Sequence, residues 1–123
     1  MRPIINSIGL TDGDSLESFR PKDSENFCVC VRAMIGPVDQ EGEESFDVQV
    51  CTPQALAEEL NLRGYSFIRR RLIVRFWAPD LIREAIQRRV STITADSWTE
   101  LAYKLTEFAD WEFENYQPAP QKI

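Results

Sequence analysis

The chain has 123 residues, is 43% hydrophobic and contains no His, with 14 Lys and Arg against 20 Asp and Glu for a net charge of −6. That length is one ordinary domain, able to bury a core without a disulfide or metal staple. The missing His removes the commonest general base, the commonest metal ligand and the usual partner of a Ser or Cys nucleophile.

Residues 1–25 are polar and turn-rich, with a short strand expected over 3–8 and a weaker one over 16–19. The triplet Asp12-Gly13-Asp14 falls short of a calcium loop, because the closing position holds Asp23 and no helix pattern flanks it. Residues 27–35 alternate cleanly, with Phe27, Val29, Val31, Ala33 and Ile35 on one face. Gly36-Pro37 ends this strand, and an acidic loop with Asp39, Glu41, Glu43 and Glu44 follows. Phe46, Val48 and Val50 then alternate with polar residues, which predicts an antiparallel hairpin.

Thr52 caps a helix that Pro53 opens and Gly64 stops, with Leu56 and Leu60 as its buried face and Glu58 and Glu59 in water. Leu72-Ile73-Val74 reads as a central strand buried on both faces. Pro79 opens a second helix with Leu81, Ile82, Ala85, Ile86 and Val90 inward. Ser97 and Glu100 have capping-box spacing and open a third, striped by Trp98, Leu101, Ala102, Leu105 and Phe108. Residues 111–116 alternate aromatic with polar side chains, as an edge strand would, and 117–123 read as a frayed end. The expected fold is α+β in one domain: a mixed or mainly antiparallel sheet of about four to five strands with about three helices packed against it.

Charge is zoned: residues 1–60 carry −8, residues 61–91 carry +6 and residues 92–123 carry −4. A plain nucleic-acid binder would carry a net basic face, so no nucleic-acid partner is expected. Arg69, Arg70 and Arg71 are read as pairing with the acidic first half or flanking the sheet. No phosphate loop, dinucleotide fingerprint or metal cluster is legible, so no cofactor is expected and a binding protein is favoured over an enzyme. No apolar run approaches ~18 residues and the first residues lack a leader pattern, which makes a cytoplasmic protein with no membrane partner the default. The three Cys fit that compartment as small buried apolar residues, since Cys28 and Cys30 share a strand face and cannot readily bond each other.

Four segments carry a family resemblance: Ile35-Gly36-Pro37; the stretch from Ser45-Phe46-Asp47 to Thr52-Pro53 with Leu56-Ala57; Leu72-Ile73-Val74 with an aromatic two residues on; and Trp98 to Leu105 leading into Trp111-Glu112-Phe113-Glu114-Asn115-Tyr116. Together, over roughly residues 27–116, they resemble the immunity protein 8 family of bacterial polymorphic toxin systems, with Gln54-Ala55 as a departure where an aromatic is expected. The resemblance implies an antitoxin that is not an enzyme and that binds and blocks one cognate toxin domain. A basic nuclease would suit the acidic zones. The alternative is a general protein-binding adaptor without a toxin partner. Phe46, Cys51, Pro53 and Trp98 read as structural signature residues. The toxin-binding candidates are Asp39, Glu41, Glu43 and Glu44 in the loop, then Trp111, Glu112, Glu114 and Tyr116.

Overall fold

The computed structural model describes residues 1–114. The elements run β1 (Pro3–Leu10), β2 (Cys28–Pro37), β3 (Glu44–Cys51), α1 (Pro53–Arg63), β4 (Arg71–Ile73), α2 (Pro79–Ser91), α3 (Trp98–Leu105) and β5 (Asp110–Trp111). They form a five-stranded mixed sheet with three helices, an α+β fold. The first four strands lie in chain order, and β5 pairs with β3 off that path. β1, β2, β3 and β5 meet their neighbours antiparallel, whereas β4 joins β3 in parallel.

The hairpin forms because both strands alternate with period two and face the same way in register. Val31 lies opposite Val48 and Ala33 opposite Phe46, so one face of the pair is continuously apolar. Against that face α2 lays Ile82, Ile86 and Val90, and α3 lays Leu101, Ala102 and Leu105. Residues 1–25 enter the same core through Ile8, Leu10 and the fully buried Leu16. Leu16 sits in a turn rather than the weak strand expected there, because only Ser15 bridges back to β1, at Gly9.

Capping follows the sequence. Thr52 Oγ1 accepts the N–H groups of Ala55 and Phe27, which ties the start of α1 to the start of β2. Gly64 closes α1 at φ +83 and donates its N–H to the Leu60 carbonyl. Ser97 caps α3 through the Glu100 N–H, and Glu100 reaches back to the Asp96 N–H.

Four expectations need correction. β4 is an edge strand of three residues, not a central one: Leu72 is half-buried, Ile73 is exposed, and the buried Val74 lies past its end. α1 has no buried residue, and Leu60 faces solvent where a core face was expected. Leu81 is likewise exposed, because Ile82 takes the inward position next to it. Cys28 and Cys51 stand directly opposite each other with Cα atoms 4.1 Å apart, and their sulfurs are bonded. That cross-strand pairing arises from register across 23 residues, which cysteine spacing alone does not disclose. Cys30 keeps a free, half-buried thiol.

The contrast between β3 and α1 gives a direct test. Phe46→Ala, at a site with no exposure, costs about 3–5 kcal/mol. Leu62→Ala, at 87% exposure, changes stability by less than about 0.5 kcal/mol. Urea unfolding of the two variants beside the parent checks both; a comparable loss in each would contradict the placement of α1.

Candidate functional site

The β2–β3 connection is a built corner rather than a loose tip. Val38 donates its N–H to the Arg2 carbonyl at 2.9 Å, and Glu43 accepts the Asn6 side-chain amide at 2.7 Å. Gly36 is required by close approach: a Cβ there would run into the Gly42 carbonyl, and Gly42 itself turns at φ +110. The corner leaves Asp39, Glu41 and Glu43 exposed. Glu41, Glu43 and Glu44 border a recess of about 220 Å³ that Pro37 and Trp98 also line. Carboxylates beside an indole make a favourable seat for a guanidinium or ammonium group.

The next stretch of the same sheet edge is β5. Trp111 lies opposite Phe46, stacks with its ring nearly parallel at 6.3 Å, and donates its indole N–H to Glu44 at 2.6 Å. Glu112 accepts the Ser45 N–H at 2.7 Å and returns its own N–H to the Ser45 carbonyl. Arg70 grips Glu114 with both terminal nitrogens at 2.7 Å and also reaches Asp110 at 2.7 Å. Tyr116 lies outside the described residues. The sequence-selected residues that are described thus gather along one edge, divided by role. Asp39 and Glu41 point into water, and Glu43 is exposed with one light tether. Glu44, Glu112 and Glu114 hold the fold.

Beyond β5 lies the connection from α1 to β4. Arg71 donates to Glu59 at 2.9 Å and to Ser66 at 2.8 Å, while Arg69 is exposed and has no partner among the described residues. Of the Arg triplet, Arg71 pairs with the acidic first half through Glu59, whereas Arg70 pairs instead with Asp110 and Glu114 at the end of the described chain. Sequence reasoning missed the surrounding side chains: Leu60, Leu62, Tyr65, Phe67 and Ile68 are all exposed. A signal was present, because residues 60–79 contain no Asp, Glu or Lys. Among the described residues no group of three His, Cys, Asp or Glu is placed to hold a metal ion, and no helix is long and apolar enough to cross a membrane.

A protein-family model, Immunity protein 8, matches residues 4–116. The chain belongs to the Immunity protein 8 family. Comparisons with curated proteins and with solved structures yield no match. The family match takes in the hairpin, the acidic corner, the α1–β4 connection and β5, so every surface described above falls within the Immunity protein 8 region. The residues expected to be structural are so: Phe46 is core, Cys51 bonds Cys28, Pro53 opens α1, and Trp98 opens α3 with its ring edge-on to Phe46.

One carboxylate in this region has a pH signature. Hydrogen bonds from Arg71 and then Ser66 hold the Glu59 carboxyl below the usual Glu range. A depressed folded pKa contributes stability above the unfolded pKa of about 4.3, and that contribution is lost as pH falls through the lower folded value. Glu59→Gln is therefore less stable than the parent at pH 7, and the two converge in acid. Chemical denaturation at a series of pH values reads this; a gap that persists below the Glu range would contradict the assignment.

Proposed function

We propose that the chain is an antitoxin of a bacterial polymorphic toxin system, and that it neutralises one cognate toxin domain by binding rather than by catalysis. Membership of the Immunity protein 8 family over residues 4–116 carries this reading. The acidic corner is its encounter surface. Asp39, Glu41 and Glu43 project into water at one end of the sheet edge, where their field attracts a basic partner and raises the association rate. The recess beside Trp98 then receives a Lys or Arg side chain of that partner. Nucleases suit this chemistry, since a surface made for phosphates is basic. The adaptor without a toxin partner is not favoured by any single feature of the fold.

The test is growth and kinetics together. The toxin domain encoded beside this chain's gene arrests a bacterial host when expressed alone, and co-expression of the chain restores growth. Asp39→Lys, Glu41→Lys and Glu43→Lys combined slow association by about tenfold or more and flatten its salt dependence. Glu44 is left intact because it accepts the Trp111 indole N–H. Unchanged association kinetics would remove the corner from the interface, and a harmless neighbour would remove the antitoxin reading.

We place the chain in the cytoplasm, where incoming toxin meets its target. The Cys28–Cys51 bond is the opposing observation, because such bonds persist mainly in oxidising compartments. Thiol labelling under denaturing conditions, of chain taken directly from the cell, decides between them. Cytoplasmic chain exposes all three thiols, and chain from an oxidising compartment exposes Cys30 alone.

A further inference from the structure

The end of α1 and the segment that follows it are built like the centre of an interface and are covered by none of the described residues. Leu62, Tyr65, Phe67 and Ile68 are each at least 61% exposed, and Phe67 reaches 81%. Tyr65 and Phe67 meet edge to face at 6.2 Å, so they form one aromatic ridge rather than two separate side chains. An apolar cluster of this kind costs solubility in a free monomer and marks a contact surface. The composition points the same way. Residues 60–69 hold Leu, Ile, Phe, Tyr and Arg and no Asp, Glu or Lys, the bias found in the desolvated centres of protein interfaces.

Charge selects the occupant. Arg69 and Arg75 are exposed and have no ionic partner among the described residues, whereas the neighbouring Arg63, Arg70 and Arg71 are neutralised within the chain. The ridge therefore suits an apolar recess rimmed by Asp or Glu. The segment is also continuous with the candidate edge, because Arg70 joins it to Asp110 and Glu114 beside Trp111. A net charge of −6 and the acidic corner farther along that edge disfavour a nucleic-acid strand as occupant.

We infer that residues 62–69 form the anchor that holds the cognate toxin domain, inserting Phe67 and its neighbours into an apolar, acid-rimmed recess on the toxin. This rests on the antitoxin reading and assigns it a second contact, separate from the acidic corner. The corner sets how fast the partners meet, and the ridge sets how slowly they part. Their opposite charges at two ends of one edge fix the orientation in which the toxin docks.

Surface plasmon resonance with the purified toxin domain from the neighbouring gene tests this. Tyr65→Ser with Phe67→Ser accelerates dissociation by about 30-fold or more with little change in association. Arg69→Glu weakens binding several-fold through an exposed side chain with no role in folding. Both variants melt with the parent, since the replaced groups are solvent-exposed. Parent binding with unchanged dissociation in both variants overturns the anchor and leaves the antitoxin reading standing. A parent chain that does not bind the toxin overturns both. Two further outcomes overturn the anchor: a single-stranded oligonucleotide bound by the parent and released by the variants, or self-association of the parent that the variants lose.

Discussion

The second edge of β3 is shared, and much of the molecule follows from how it is divided. β2 occupies one edge over eight residue pairs, Cys28↔Cys51 to Ile35↔Glu44. On the other edge β4 takes Gln49, Val50 and Cys51 in parallel, and β5 takes Phe46 and Asp47 antiparallel. The two meet around Val48, so neither can lengthen without displacing the other. The chain therefore arrives at β4 through a sharp turn, with Arg70 in the left-handed region at φ 65. A residue with a side chain adopts that conformation at a cost of about 1–2 kcal/mol. The Arg70 guanidinium offsets the cost with a part-buried two-pronged bond to Glu114 at 2.7 Å, worth about 1.5–3 kcal/mol, and an exposed bond to Asp110 at 2.7 Å that adds less than about 1 kcal/mol. One ion cluster thus closes the gap between two competing strands and brings the α1–β4 connection against the end of the described chain.

Periodicity explains what was readable beforehand. The hairpin alternates over enough residues that only one register buries its apolar face, and α2 and α3 repeat at three and four with caps at their starts. The immunity-family resemblance rested in part on the hairpin and α3, and the family match confirms it. β4 was misread for a physical reason: three consecutive apolar residues look the same whether a strand is central or merely adjacent to a core. Which it is depends on whether another strand pairs with its far side, and among the described residues none does. α1 was misread through the default that Leu goes inside. Leu56 and Leu60 make a stripe only two positions wide, too narrow to settle a face.

The candidate residues separate along the same line. A carboxylate in a sequence does not declare whether it will meet water or a donor. Asp39 and Glu41 meet water, whereas Glu44 takes an indole N–H, Glu112 a backbone N–H and Glu114 a guanidinium. These partners come from positions at least 44 residues away, beyond any local pattern. The acidic run was therefore visible as a run, while the split between free and structural carboxylates was not. The exposed aromatic ridge went unseen because hydrophobic residues are assigned to the core first, although a stretch lacking Asp, Glu and Lys was in plain view.

A protein that must silence a lethal partner needs both a high encounter rate and a long-lived complex, and different interactions supply them. Long-range attraction comes from exposed charge and acts over about 8–10 Å at physiological salt. Persistence comes from apolar groups leaving water and adds little until contact is made. A single patch serves both ends poorly, since carboxylates at the centre of an interface must be desolvated and each loses several kcal/mol on burial without a partner. Here the free carboxylates occupy the β2–β3 corner and the exposed aromatics occupy the α1–β4 connection, with β5 and its ion cluster between them. The division of β3's edge that fixes the fold thereby also separates the free carboxylates from the exposed aromatics, as the proposed roles of steering and anchoring require.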